Sequence, residues 1–297
     1  MRTPVKRLLL LLALAACAPG AGGAAGAAAE LRLMSFNIRY GTADDGADAW
    51  PRRAAMAFDV VRRFDADVVG VQEALRFQLD ELGAAFPGYA EIGVGRDDGR
   101  TAGEYSAILY RRGRFEVLEE GTFWFSDTPA TPGSMTWGNR ITRICTWARL
   151  RDRSGGARFY VYNLHLDHES QPSRERSALL LAERIRTRSS PDAVLVMGDF
   201  NSGEANPVYR HLTGAETLPA GAPAPPLADT YRLRHPGDTM VGTFHAFRGT
   251  TTGDKIDHIL ASPEWRALDA SIVRTSRAGR FPSDHFPVTA VVRLGSP

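Results

Sequence analysis

The stretch Ala193-Val194-Leu195-Val196-Met197-Gly198-Asp199-Phe200-Asn201 opens as an apolar run and closes on polar side chains. Placed after Pro191-Asp192, such a run reads as a strand buried on both faces. Gly198 is expected to let the backbone turn sharply at the strand's carboxyl end. Asp199 and Asn201 are two residues apart, so on an extended chain they project to the same side. A carboxylate and an amide held together there suit a cation and an oriented water. A strand closed by an Asx-turn is the alternative reading of the same residues. What separates the two is whether other strands end in the same way.

Several do. Residues 31–36 read as a strand that ends at Asn37-Ile38-Arg39, and residues 67–71 as a buried strand that ends at Gln72-Glu73. Residues 159–164 form another, followed by His165-Leu166-Asp167-His168. Asp257 lies in a predicted strand at 256–260, and Asp284-His285 precedes one at 287–292. Further strands are expected at 89–94, 104–110, 115–125, 141–150 and 270–274, and a Gly/Ala/Pro-rich surface loop at 214–226. Helices are predicted at 50–63, where Pro51 stands near the start, at 74–86 and at 173–188. Alternating strands and helices, with some strands joined directly, imply mixed sheets with helices outside.

Composition narrows the function classes. The 297 residues are 43% hydrophobic and 24% charged, ordinary for a globular chain able to bury a large core. The formal charge of +2 includes Arg2, Lys6 and Arg7; without them 33 basic residues face 34 acidic ones. No strong electrostatic footprint for nucleic acid remains, although a local basic groove stays open as a reading. Those three cations precede an apolar run at 8–13, too short to span a bilayer, so residues 1–29 read as a leader and tether and 30–297 as one catalytic domain. Leu14-Ala15-Ala16-Cys17 resembles a bacterial lipobox, which implies membrane attachment through a lipidated Cys17; cleavage of a plain secretory signal within 18–29 is the alternative. Either places the protein outside the cytoplasm. Cys145 is the remaining cysteine and reads as a buried core thiol. Lys255 is the one lysine beyond the leader.

Asn37, Glu73, His165, Asp199 with Asn201, Asp257, and Asp284 with His285 thus lie at or beside ends of separate predicted strands. A set made only of carboxylates, amides and histidines is what a metal-centred site at one edge of the sheets requires. Hard divalent cations prefer oxygen ligands, and Mg²⁺ takes one or two carboxylates while keeping several waters.

The ordered motifs Asn37-Ile38-Arg39, Gln72-Glu73, Asn163-Leu164-His165, Gly198-Asp199-Phe200-Asn201, Ile256-Asp257-His258 and Ser283-Asp284-His285 resemble those of the endonuclease/exonuclease/phosphatase family. The resemblance spans about residues 31–294. It implies a deoxyribonuclease I-like fold, a four-layer α/β/β/α sandwich of two mixed sheets flanked by helices, with the site at one sheet edge. The stretches around Trp50, at 121–129 and at 242–247 look like a bacterial extracytoplasmic subgroup. Carried over by position, the resemblance makes Glu73 the principal Mg²⁺ ligand, with Asn37 beside it and Asp284 as a further metal or water contact; Mn²⁺ or Ca²⁺ are the alternative ions. Asp199 would orient or deprotonate the attacking water, and Asn201 would hold that water or the phosphate. His285 would bind a phosphate oxygen or act as acid/base, its ring oriented by Asp257, and His165 would face the phosphate. Arg143, expected on a strand facing the site, is a phosphate-binding candidate or else an ordinary surface or ion-paired arginine. Arg39 stands where the repair-endonuclease branch has an aspartate, which argues against repair of abasic DNA.

The implied reaction is in-line attack of water on a phosphodiester or phosphomonoester, with no covalent intermediate. A DNA/RNA endonuclease of the same family and a catalytically silent phospho-ligand-binding module are the competing functions. Asn163-Leu164-His165-Leu166-Asp167-His168 also resembles the zinc cluster of metallo-β-lactamase-like hydrolases, with Asn in place of the first His. Trp124, Trp137, Phe244 and Phe247 are candidates for an aromatic rim around the substrate, or else for core and loop anchors. No long apolar hairpin suggests bilayer insertion, which ranks a lipid substrate below a soluble phosphoester.

Overall fold

Every residue of Ala193–Asp199 is buried, as a strand covered on both faces requires. The computed structural model describes residues 30–219 and 221–295; the leader, the tether and Cys17 lie outside them. The strands in chain order are β1 (Leu31–Asn37), β2 (Val68–Ala74), β3 (Tyr89–Ile92), β4 (Tyr105–Arg111), β5 (Phe115–Trp124) and β6 (Ile144–Asp152). They continue as β7 (Arg158–His165), β8 (Ala193–Asp199), β9 (Ala228–Asp229), β10 (Asp257–Ala261), β11 (Trp265–Ile272) and β12 (Val288–Leu294). The helices are α1 (Trp50–Phe64), α2 (Arg76–Ala85), α3 (Gln171–Arg186), α4 (Pro207–Leu212) and α5 (Thr230–Arg234).

The strands form two six-stranded sheets, in the orders β11-β12-β1-β2-β4-β3 and β5-β6-β7-β8-β10-β9. Both are mixed: β1 runs parallel to β2 and antiparallel to β12, while β8 runs parallel to β7 and antiparallel to β10. Leu33, Val68, Ile108, Val161, Leu195, Met197 and Ile259 pack in one apolar layer between the sheets. The outer face of the first sheet is covered by Ala57, Val60, Leu79 and Leu82 of α1 and α2. Ala178, Leu181, Ile185 and Val208 of α3 and α4 cover the second. The result is the expected α/β/β/α sandwich, with apolar material in three successive layers.

Several boundaries moved for identifiable reasons. Helix α3 begins at Gln171, ahead of the predicted 173, because Pro172 occupies the first turn and the Ser170 side chain caps it by accepting from Ser173 N–H. Strand β2 runs on through Ala74, where a helix was expected, because it bulges against β4 between Val71 and Ala74. Strand β11 starts at Trp265, well before the predicted 270, since that indole packs edge-on against Phe159 in the inter-sheet core. Strand β6 begins at Ile144, so Arg143 stands just ahead of it, in contrast to the expected 141–150. Gly198 does not mark a turn: it pairs with Leu164 and His258 inside the sheet, and a side chain there would meet Leu164 O at 2.1 Å. Its φ of 148° and the close strand approach explain the glycine. Cys145 is fully buried, and burial pushes its thiol well above the usual value. Among the described residues no helix is long and apolar enough to cross a membrane.

Candidate active site

Register alone sets three of the site's groups side by side. Asp199 ends β8, His165 pairs with it from the end of the parallel β7, and Asp257 pairs with it from the start of the antiparallel β10. Across the inter-sheet layer, β1 ends in Asn37 and β2 carries Glu73. The two sheets are locked at this edge by buried amides. Gln72 Nε2 donates to Asn163 Oδ1 at 2.6 Å, and Asn163 Nδ2 donates to the carbonyls of Val71 and Ala107 at 3.0 and 2.8 Å.

Local backbone strain aims the ligand groups. Arg39, Glu73 and Asn201 have φ of 57°, 62° and 46°, in the left-handed region that costs a non-glycine residue about 1 kcal/mol or more. Glu73 sits on the β2 bulge, which swings its carboxylate off the sheet and into the cleft. Asn201 does not continue an extended chain: its N–H donates to Asp199 Oδ1 at 2.9 Å, closing the Asx-turn. Its side-chain amide donates to Leu166 O at 3.0 Å. The Asx-turn and the polar site therefore coexist.

Asn37 Nδ2 is the hub, 3.0 Å from Glu73 Oε1 and 3.0 Å from Asp199 Oδ2. His285 reaches the same point from the loop before β12: its Nε2 lies 3.7 Å from Asp199 Oδ2, and its Nδ1 is 2.9 Å from Asp257 Oδ2. Ligand atoms of Glu73, Asp199 and His285 all fall within 4.8 Å of one another. Asp284 lines the same cleft, with Oδ2 3.8 Å from Arg39 Nε. Four carboxylates, those of Glu73, Asp199, Asp257 and Asp284, thus face His285 and Arg39. Buried Asp257 Oδ1 has no hydrogen-bond partner. Hard oxygen donors fit a divalent cation, which Glu73, Asp199 and His285 could hold between them.

The protonation states follow from burial and neighbours. Burial, and next the Asp257 charge, push the Asp199 carboxyl up to about 7, against the pull of His285. For His285, burial alone would lower the pKa, but Asp257 and Asp199 outweigh it and raise it well above the usual value. His165 is held well below its usual value by burial and then by Arg143, so it is neutral. One imidazolium and one neutral imidazole therefore flank the same carboxylate.

The remaining wall of the cleft, which encloses about 400 Å³, is basic and was only partly legible in the sequence. Arg143 is buried, with Nη2 2.8 Å from His168 Nδ1 and Nε 3.7 Å from Asp167. Its burial rules out a surface arginine and the Asp167 contact makes it ion-paired, while its Nε and Nη1 lack hydrogen-bond partners. Arg96, in a two-point pair with Glu104 at 2.6 and 2.8 Å, and half-buried Tyr40 line the cleft too. Of the proposed aromatic rim, Phe244 alone lines it, its ring 5.0 Å from that of His285. Trp124 is a buried anchor donating to Arg96 O, Trp137 donates to Asp127, and Phe247 lies over Arg53. The zinc-cluster reading fails on geometry: Asn163 is spent between the sheets, and Asp167 accepts from the N–H groups of Glu169 and Ser170.

Behind the site, Lys255 is buried with Nζ 2.5 Å from Asp229 Oδ2 and 2.6 Å from His258 Nδ1. An ammonium has only donors, so His258 carries its proton on Nε2 and donates to Ser202 O at 3.0 Å. Burial would raise the Asp229 carboxyl, yet the Lys255 ammonium outweighs it and holds the carboxyl far below the carboxylate range. Its contribution to stability is complete above about pH 4, the unfolded value, and is lost as acid titrates the folded form. Lys255→Met leaves that carboxylate buried and unpaired, and is expected to cost about 3–5 kcal/mol. Thermal unfolding followed by circular dichroism would show a drop in Tm on the order of 10 °C; an unchanged Tm contradicts the assignment.

Comparison with known proteins agrees with this fold. The sequence model of the "Endonuclease/Exonuclease/phosphatase family" matches residues 34–285. A Bacteroides vulgatus endonuclease/exonuclease/phosphatase structure is 33% identical, covers 90% of this chain and all of that one, and superposes with a TM-score of 0.80. A mannosyl-6-phosphatase from Bacteroides thetaiotaomicron is 32% identical over 89% of this chain and all of that one, with a TM-score of 0.78. The human Nocturnin catalytic domain with a bound sulfate, 17% identical over 90% of this chain and 94% of that one, shares the fold with a TM-score of 0.69.

Proposed function

This chain belongs to the endonuclease/exonuclease/phosphatase family, and on that premise we propose that it is a divalent-metal-dependent phosphoester hydrolase using direct attack of water on phosphorus. The observation that carries the reading is the meeting of Glu73, Asp199 and His285 within 4.8 Å, backed by the 2.9 Å contact of His285 with Asp257. Glu73, with Asn37 and Asp284, would hold the ion. Mg²⁺ suits these oxygen donors, with Mn²⁺ or Ca²⁺ as substitutes, and a bound cation supplies charge opposite the phosphoryl oxygens.

The protein's own groups divide the remaining work. Asp199, whose carboxyl lies at about 7, accepts the proton of the attacking water, and Asn201 beside it orients that water or the phosphate. His285 enters as an imidazolium, bound to a phosphate oxygen and held in place by Asp257. Neutral His165 faces the phosphate, and Arg143, which lines the same cleft, places a positive charge near it. A general base supplies about 10²–10⁴-fold. Monoester hydrolysis needs up to ~10²¹-fold, so most of the acceleration comes from charge placed opposite the phosphoryl group.

A small soluble phosphoester suits a cleft of about 400 Å³, and the mannosyl-6-phosphatase relative puts sugar phosphomonoesters first among substrates to try. A DNA/RNA endonuclease is the second reading, weakened by the near balance of charge. The test is a panel of plasmid DNA, RNA, sphingomyelin, bis-p-nitrophenyl phosphate, p-nitrophenyl phosphate, inositol phosphates and hexose phosphates, with Mg²⁺, Mn²⁺, Ca²⁺ and EDTA. Metal-dependent turnover of a monoester, with Arg143→Met raising KM about tenfold or more for loss of a charged hydrogen bond, supports the reading. Full turnover in EDTA would sink it, and metal binding without any turnover points to a silent phospho-ligand-binding module. Extracytoplasmic location and membrane attachment through Cys17 belong to the same proposal; Cys17→Ala should move the protein from the membrane fraction to the soluble one.

A further inference from the structure

Arg53 lies on α1, one turn after Trp50, and it is completely buried. Its guanidinium donates to four backbone carbonyls in separate places. Nε donates to Asp48 O at 2.8 Å, Nη1 to Ile38 O and Pro282 O at 2.6 and 3.0 Å, and Nη2 to Arg39 O at 3.1 Å. Two aromatic rings lie near it, those of Trp50 at 5.0 Å and Phe247 at 5.5 Å. Four of five N–H bonds are thus directed at fixed points, and the planar fork of a guanidinium has the geometry for that where an ammonium does not.

The carbonyls matter by their positions. Ile38 and Arg39 follow Asn37, which is hydrogen-bonded to Glu73 and Asp199. Pro282 precedes Ser283-Asp284-His285, and Ser283 Oγ donates to Asn37 O at 2.7 Å. These two loops come from the adjacent antiparallel strands β1 and β12, and Arg39 in the first of them has a left-handed φ of 57°. Burial lowers the Arg53 pKa to about 10, with Asp284 and Asp45 opposing, so the group stays charged at neutral pH.

We propose that Arg53 is a positioning residue that clamps the loop carrying Asn37 to the loop carrying Asp284 and His285, and so fixes the spacing of the site's ligand groups. The inference rests on the hydrolase reading only for where the cation sits, and its test needs no substrate. The full chain with Arg53→Met and with Arg53→Lys would be compared with wild type by hydrogen–deuterium exchange and by Mn²⁺ titration followed by electron paramagnetic resonance. Expected is faster exchange at 38–41 and at 283–285, with β7 and β8 unchanged, and Mn²⁺ affinity reduced about 10–100-fold, as for loss of a ligand's supporting contact. Arg53→Lys should resemble Arg53→Met, because retained charge does not restore the fork. A lysine variant equal to wild type, wild-type exchange in both loops, or uniformly faster exchange in both sheets would each overturn the clamp. Should the panel show no phosphoester turnover, these readouts still stand or fall by themselves.

Discussion

Glu73→Ala is expected to lower turnover about 10³-fold or more in a protein that stays folded. Glu73 is only half-buried, on a bulge, and accepts from Tyr40 N–H at 3.1 Å and from Asn37 Nδ2 at 3.0 Å. Its removal therefore opens no core cavity, and the fold loses little. What is lost is the ligand that Asn37 holds in place. A bound cation contributes several kcal/mol of charge stabilisation, and ~4 kcal/mol at 1.36 kcal/mol per tenfold is about three powers of ten. The check is kcat/KM at saturating Mg²⁺, with EDTA-treated wild type as the matching control. A linked result concerns pH. With the Asp199 carboxyl at about 7 in the metal-free protein, metal entry beside it is expected to displace a proton. Affinity should rise with pH from about 6 and level off above about 8. Calorimetric titration in two buffers of different ionisation enthalpy would reveal the released proton; equal heats would contradict the coupling.

His285→Ala is expected to cost about 10²–10⁴-fold in kcat, the range for losing a positioned acid–base group. Its partner gives a sharper prediction. Asp257 is the largest of the influences that raise the His285 pKa, working against burial. Where the imidazolium is the active form, activity falls on the alkaline side as it deprotonates. Asp257→Asn removes that negative charge, lowers the His285 pKa and so moves the alkaline limb of the pH–rate profile toward neutral. A limb that stays in place after this substitution would show that His285 is not the group being titrated.

The sequence by itself determined the mixed sheets with helices outside and the identity of most of the polar set, and its family resemblance implied the layer order. Strands such as β8, apolar up to its Gly198-Asp199 end, and helices such as α1, which opens Trp50-Pro51, are local patterns, and local patterns need no knowledge of the rest of the chain. The ordered polar strand ends supplied the resemblance, which the family match at 34–285 confirms. Tertiary structure alone decided where those ends meet. The bulge that turns Glu73 and the register that aligns Asp257 with Asp199 and His165 come from pairing with distant strands. So does the burial of Asn163 and Lys255, each satisfied by partners that are remote in sequence. Arg143 with its unpaired donors, Arg96 on Glu104 and Arg53 on four carbonyls follow the same rule. An arginine reads alike on the surface and in the core, because what distinguishes the two is not its type but the groups that other segments bring within 3 Å of it.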